Sequence, residues 1–355
     1  MIRELNVENF KSIENLYLKC SKINIFIGEP NVGKSNIIES LGLFSSILFH
    51  ENSSNRNEAI NKEFIRYNNF IDLFHNSNLR KKIKVSTDKY QIEIRAEENN
   101  FYISVYRIQL SSEEKDKNFS KRIIRSENIL QVEAIANSPG IYSWNFKTNF
   151  NDFKKEKNFP KIMYYKNMET EKFVSLNFDF LNPPSGNNLL TILQTNTDLY
   201  KKINEILFSF NLKLMLREVE KTIELVRDIE GKLIAIPFKL VAESFHQLFL
   251  LLSAMNTCKD SIICLEEPET HLFPKYTKLI AELIAKNKNN NQYFISTHNP
   301  YFLISLIEKA KKEDLSIFAV SFQNNHTKVS KIQENEIREL LEGEDPFFNI
   351  NKYFE

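Results

Sequence analysis

Residues Gly28–Ser35 read GEPNVGKS, two glycines framing a loop that ends in a lysine and a hydroxyl. Ahead of it Ile23, Ile25 and Ile27 alternate as a strand does. Behind it Ile37, Ile38, Leu41, Phe44, Ile47 and Leu48 recur at helical spacing. Strand, loop and helix in that order form a cradle for phosphate, in which backbone N–H groups converge on oxygen atoms at a helix N-terminus. Gly28 and Gly33 let the chain curl, Lys34 brings charge to the outer phosphates, and Ser35 offers a hydroxyl to magnesium. Glu29, Pro30, Asn31 and Val32 form the body of the loop, and Asn36 follows it. The expectation is an α/β nucleotide-binding fold.

The loop alone leaves the base open. PNVGKS is similar to the loop of small GTPases, and Asp228-Ile229-Glu230-Gly231 fits their DxxG pattern, but no NKxD segment follows to read guanine. A better account of the C-terminal third begins at Ser261–Pro274, SIICLEEPETHLFP. Its apolar run predicts a buried strand, with Glu266 and Glu267 emerging at the C-terminal end. In that place Glu266 can hold magnesium through its water shell, and Glu267 can polarise an attacking water as general base. Asn291–Pro300, NQYFISTHNP, predicts a second such strand, with His298 placed to contact a γ-phosphate or the attacking water.

These segments resemble the ABC-type ATPase heads of the SMC and RecF class, above all the bacterial AAA ATPases related to overcoming-lysogenization-defect proteins. VENFKSIENL resembles the first hairpin of that class, which implies that Lys11 and Ser12 approach the nucleotide. GEPNVGKS resembles Walker A, with Asn31 where a glycine is usual; asparagine tolerates the left-handed backbone better than most residues. LEEPETHLFP is similar to the extended Walker B and D-loop, although Glu266 replaces the usual aspartate, and STHNP resembles the switch-histidine segment. The resemblance implies ATP and Mg2+ as cofactors, ATP hydrolysis, and a site completed across a dimer by a signature motif. VAESFHQLF is the corresponding helix start; it has no glycine, and Ser244 is its candidate for contacting the partner's nucleotide. RYNNFIDLFHN stands where a Q-loop belongs, with Asn68 or Asn69 in place of glutamine.

The chain accordingly divides into residues 1–110, the Walker A lobe with an antiparallel β subdomain over about 82–110; 111–188, an inserted helical subdomain or lid; and 189–355, carrying the signature-like helix, Walker B, D-loop and switch histidine. Glu51–Glu63 reads as a polar loop and Leu189–Phe210 as one helix. The stretch after His298 is too short for the nuclease domain of longer relatives, so the effector expected by analogy is a separate nuclease or toxin. The 47 Lys and Arg against 46 Asp and Glu exclude a strong overall pull toward nucleic acid or an anionic membrane. DNA contact stays open through local basic runs such as FKKEKNFPK. Cys20, Cys258 and Cys264 are too scattered for a zinc site and read as reduced thiols. No apolar run reaches membrane-spanning length and the N-terminus has no signal-peptide pattern, so the expected location is the cytoplasm, without membrane contact.

Three functions remain on these grounds. One is an ATP-gated homodimer, or higher homo-oligomer, acting as sensor or regulator for an effector in anti-phage defence. The second is a DNA-stimulated repair or maintenance ATPase. The third is a non-hydrolysing scaffold held together by ATP.

Overall fold

A computed structural model describes residues 1–49, 60–98, 100–110, 123–138, 141–146, 159–166, 173–176, 178–342 and 346–354. The chain opens with a hairpin of β1 (Glu4–Phe10) and β2 (Ile13–Lys19), turned at Lys11, whose φ of 49° is left-handed. The run INIFI forms β3 (Ile23–Ile27), buried at every position because it lies inside a sheet covered on both faces. The chain then passes through GEPNVGKS into α1 (Lys34–Leu48).

After short 3-10 turns at Phe70–Leu73 and His75–Ser77, an antiparallel meander follows. It comprises β4 (Ile83–Thr87), β5 (Tyr90–Glu97), β6 (Asn100–Leu110), β7 (Ile123–Ser138) and β8 (Ile141–Phe146). With the first hairpin it makes a seven-stranded sheet in the order β2-β1-β4-β5-β6-β7-β8.

Here the structure corrects the sequence reading. Residues 111–188 hold no helix among the described residues; they give β7, β8 and β9 (Ile162–Tyr165). Strand β7 extends the meander by pairing with β6, and Leu130 and Val132 are buried on either side of half-buried Gln131, a period of two that the flanking charge runs obscured. Strand β9 is four buried residues, IMYY, too short to show a period, and it joins the sheet that contains β3. The described part of the stretch is therefore partly sheet edge and partly meander, with no helix in it. Glu51–Ala59 and most of FKKEKNFPK, with its basic residues before Phe159, lie outside the described residues.

The helix expected over Leu189–Phe210 divides into α2 (Leu189–Thr195) and α3 (Thr197–Phe208), because Asn196 between them accepts the Leu199 N–H at 3.0 Å and so starts a new helix. A three-stranded sheet follows, β10 (Lys213–Arg217), β11 (Thr222–Ile229) and β12 (Lys232–Pro237), then α4 (Glu243–Thr257). The remaining chain alternates β13 (Ile262–Glu266), α5 (Pro274–Ala285), β14 (Gln292–Ser296), α6 (Pro300–Lys309), β15 (Leu315–Gln323) and β16 (His326–Lys331), closing with α7 (Glu334–Leu341).

The second large sheet runs β16-β15-β3-β14-β13-β9, with every pairing parallel except that of β15 with β16. Phe26 on β3 stacks between Phe294 on β14 and Phe318 on β15, with ring centroids 6.5 and 5.4 Å away, so aromatic contacts run across the three central strands. No helix among the described residues is long and apolar enough to cross a membrane. Phe294 is fully buried, so Phe294→Ala should destabilise the protein by about 3–5 kcal/mol in urea unfolding; a change below about 1 kcal/mol would show that the central strands hold together without that stack.

Candidate active site

In the loop after β3, two positions leave no room for a side chain. A Cβ on Gly28 would meet the Val320 carbonyl oxygen at 2.3 Å, and one on Gly33 would meet the Thr327 and Ser12 hydroxyl oxygens at 2.0 and 2.6 Å. Gly33 also has φ 102°, and Asn31, as its tolerance of the left-handed region predicts, adopts φ 66°. The loop is braced from outside. Ser12, in the β1–β2 turn, accepts the Asn36 side-chain N–H at 2.6 Å and shares a hydrogen bond of 2.7 Å with Thr327 on β16, whose hydroxyl donates to the Val32 carbonyl at 2.9 Å. Ser12 thus reaches the loop through Asn36 and Thr327. The Lys11 ammonium turns instead to the buried carboxylate of Glu39 on α1 and to the Arg66 carbonyl at 2.6 Å.

Lys34 opens α1 and donates to the carbonyls of Gly28 and Glu29 at 2.9 and 2.7 Å. Burial lowers its pKa to about 8, against the attraction of Glu267 and Glu29. Phosphate oxygens would draw that ammonium off the two carbonyls and restore its proton affinity. Ser35 and Asn36 follow in the first turn of α1, Ser35 half-buried at the helix N-terminus.

Opposite the loop, Glu266 ends β13 and Glu267 begins the turn after it. Glu267 takes a left-handed φ of 43°, and its N–H donates to the Ser296 carbonyl at 2.9 Å. His298 follows β14, and its Nε2 lies 3.2 Å from a Glu267 carboxylate oxygen. Burial and the nearby Lys34 charge lower the histidine's pKa, while Glu267 opposes them. Lys34, Glu267 and His298, singled out separately in the sequence, therefore act on one another electrostatically in one place.

The His298 segment is anchored by Glu269. One Glu269 oxygen accepts the Thr297 hydroxyl at 2.5 Å and the His298 N–H at 3.2 Å; the other is buried without a hydrogen-bond partner. Burial raises the Glu269 pKa to about 6, against those hydrogen bonds. Ser244, the second residue of α4, is half-buried and donates its hydroxyl to the His271 carbonyl of the D-loop-like turn, while Gln247 Nε2 donates to the Pro268 carbonyl at 3.3 Å. The signature-like helix start is thus held against the turn that carries the acid pair.

A family described as "AAA domain, putative AbiEii toxin, Type IV TA system" matches residues 23–305, a span from β3 into α6 that takes in the loop, the acid pair and His298. The chain belongs to this AAA-domain family. Among solved structures, the Smc head domain with an extended coiled coil bound to the C-terminal domain of ScpA, derived from Pyrococcus furiosus, is 12% identical with a TM-score of 0.50, covering 96% of this chain and 98% of that one. An SmcHead bound to the C-winged helix domain of ScpA is 15% identical with a TM-score of 0.49, covering 95% and 99%. No curated protein matches the sequence. The fold of this AAA-family chain is that of an SMC/RecF-like, ABC-type ATPase head, with antiparallel and parallel sheets.

The donor set suits magnesium. No cluster of three His, Cys, Asp or Glu that could cage a metal exists among the described residues, and magnesium asks for one or two protein oxygens beside phosphates and water. Ser35 and Glu266 are the residues that would supply them. Glu266 has other partners as well: its two oxygens accept the Tyr164 hydroxyl and, at 3.1 Å, an Arg66 Nη. Within the candidate Q-loop the residue that reaches the acid pair is thus Arg66. The backbone N–H groups of Asn68 and Asn69 donate to Asp72 at 3.0 and 2.8 Å, where a 3-10 turn starts. Sequence reading missed Arg66, Glu39, Tyr164, Glu269 and Thr327. For Arg66 the available signal was a lone cation where an amide was expected.

Glu269 gives a pH test. Its folded pKa lies above the ordinary 4.5, so the folded state binds more protons between about 4.5 and about 6, and this group's contribution to stability falls as pH rises through that window. Removing the charge in Glu269→Gln should therefore shift stability in the variant's favour by about 2 kcal/mol between the two ends of that window. Thermal melts of both proteins across pH would show it; a difference that does not vary with pH contradicts it.

Proposed function

We propose that this chain binds and hydrolyses ATP, forms an ATP-gated dimer, and acts as a sensor or regulator for a separate effector, a nuclease or toxin, in anti-phage defence. The observation that carries the reading is the convergence of Lys34, Glu267 and His298 beside a loop that admits no side chain at Gly28 or Gly33. Loop N–H groups and Lys34 would hold the phosphates, with Ser12 and Asn36 bracing the loop. Ser35 and Glu266 would hold magnesium, which neutralises charge on the outer phosphates. Glu267 would take a proton from the attacking water; its backbone bond to Ser296 fixes where that carboxylate leaves the strand, and His298 Nε2 orients it.

The dimer reading rests on the start of α4. Half-buried Ser244 would turn its hydroxyl from the His271 carbonyl, and the helix N-terminus, which has no side-chain cap, would offer its positive end to a phosphate held by a second copy. A nucleotide bound by two surfaces stabilises their association by mass action, and hydrolysis removes that stabilisation. The defence role is supported by the family description, which names a putative AbiEii toxin of a Type IV toxin–antitoxin system. That the archaeal Smc head is bound by a domain of ScpA supports a separate partner protein.

Turnover and oligomeric mass of wild type and two variants test the reading. Lys34→Ala should weaken ATP binding by roughly 100-fold. Glu267→Gln should keep binding, lose about 100-fold or more in turnover, and accumulate as a dimer with ATP. Equal turnover in wild type and Glu267→Gln would remove the hydrolytic reading, and turnover that rises with added DNA would favour a repair or maintenance role.

A further inference from the structure

Arg66 plays no part in the chemistry above, yet its guanidinium is shared between two carboxylates. Nε donates to Glu39 at 2.7 Å and an Nη to Glu266 at 3.1 Å. The other Glu266 oxygen takes the hydroxyl of Tyr164, which burial first and the neighbouring carboxylates second keep protonated. Both oxygens of the residue that would face magnesium are thus engaged inside the protein, and its charge is already met by a cation. A divalent ion brought to the same carboxylate would be repelled by the guanidinium.

Two features make this contact releasable. Glu39 is fully buried and could not lose all its partners cheaply, but Lys11 also binds it and remains when Arg66 moves. The Arg66 side chain is 60% exposed, so its guanidinium can move into water. The glutamate in place of the usual aspartate fits the same picture, its longer arm bridging from the end of β13 to both Tyr164 and Arg66.

We propose that Arg66 is a latch on the metal site: it holds Glu266 in this arrangement and must release it when magnesium enters with ATP. The inference rests on the ATP reading above. It also gives the latch a route outward. The segment carrying Arg66 is tied to α1 by the Asn61 N–H on the Ser46 hydroxyl at 2.7 Å. It is tied to the β1–β2 turn by the Lys11 N–H on the Leu73 carbonyl at 2.9 Å and by His75 Nδ1 on the Lys11 carbonyl at 2.8 Å. Release of Arg66 would therefore be felt in the antiparallel sheet.

Manganese binding followed by electron paramagnetic resonance, with a non-hydrolysable ATP analogue and the full chain, tests this without reference to turnover. Arg66→Gln should lower the manganese concentration for half-saturation about fivefold, the scale of one exposed ion pair, while affinity for the analogue in EDTA stays within about twofold of wild type. Arg66→Lys keeps a cation beside Glu39 but has no second nitrogen for Glu266, and it should shift the same way. Half-saturation that is unchanged or raised in the folded variants, with the analogue still bound, overturns the latch alone. Absence of analogue binding in the wild type overturns the ATP reading and the latch with it.

Discussion

Parallel pairing of β14 with both β3 and β13 is the constraint on which the site depends. Ser296 stands beside Phe26 on one side and Glu266 on the other, so three strand ends distant in sequence finish level. The phosphate loop leaves one, the acid pair the second and His298 the third. Hydrogen bonds beyond the last pairs keep the ends together: the Thr297 N–H donates to the Phe26 carbonyl at 3.1 Å, and the Glu267 N–H to that of Ser296 at 2.9 Å. Because the pairing is set by backbone and by buried apolar side chains, the polar residues are free to be chosen for chemistry.

A second layer of organisation is electrostatic. Glu39 lies in the middle of α1, wholly buried, with Lys11 from the first hairpin and Arg66 from the connecting segment on its carboxylate. An ion group like this one contributes little net stability, since desolvation offsets attraction, but losing one partner would leave costly uncompensated charge. Its effect is to fix which elements meet at α1. The antiparallel sheet is thereby tied to the helix that bears Lys34, and the buried carboxylate serves as the fixed point around which more exposed Arg66 can turn.

Much of this was legible in the sequence, for identifiable reasons. GEPNVGKS, LEEPETH and FISTHNP announced themselves because phosphate cradles and strand ends need particular residues at fixed spacing, and Ile23–Ile27 and Ile262–Glu266 are continuous apolar runs. What escaped depended on contacts between distant segments. Nothing near Tyr164 indicates that it meets Glu266, 102 positions later, and Glu39 looks like an ordinary helix-surface acid until α1 is covered on that side. The strands among the described residues of 111–188 were read as helical because β9 is only four residues long and the alternation in β7 is framed by charge runs.

Thr327 has a consequence in time. Its hydroxyl supports the Val32 carbonyl from 295 positions later in the chain, and its backbone N–H holds the Ser12 carbonyl at 2.8 Å. During synthesis the loop residues leave the ribosome early, and at ordinary translation speed the brace follows only after some tens of seconds. A nascent chain therefore carries a complete phosphate-loop sequence well before it carries a supported phosphate loop. The loop is supported only once the last strand of its sheet is in place, so a braced loop is itself a mark of completed folding.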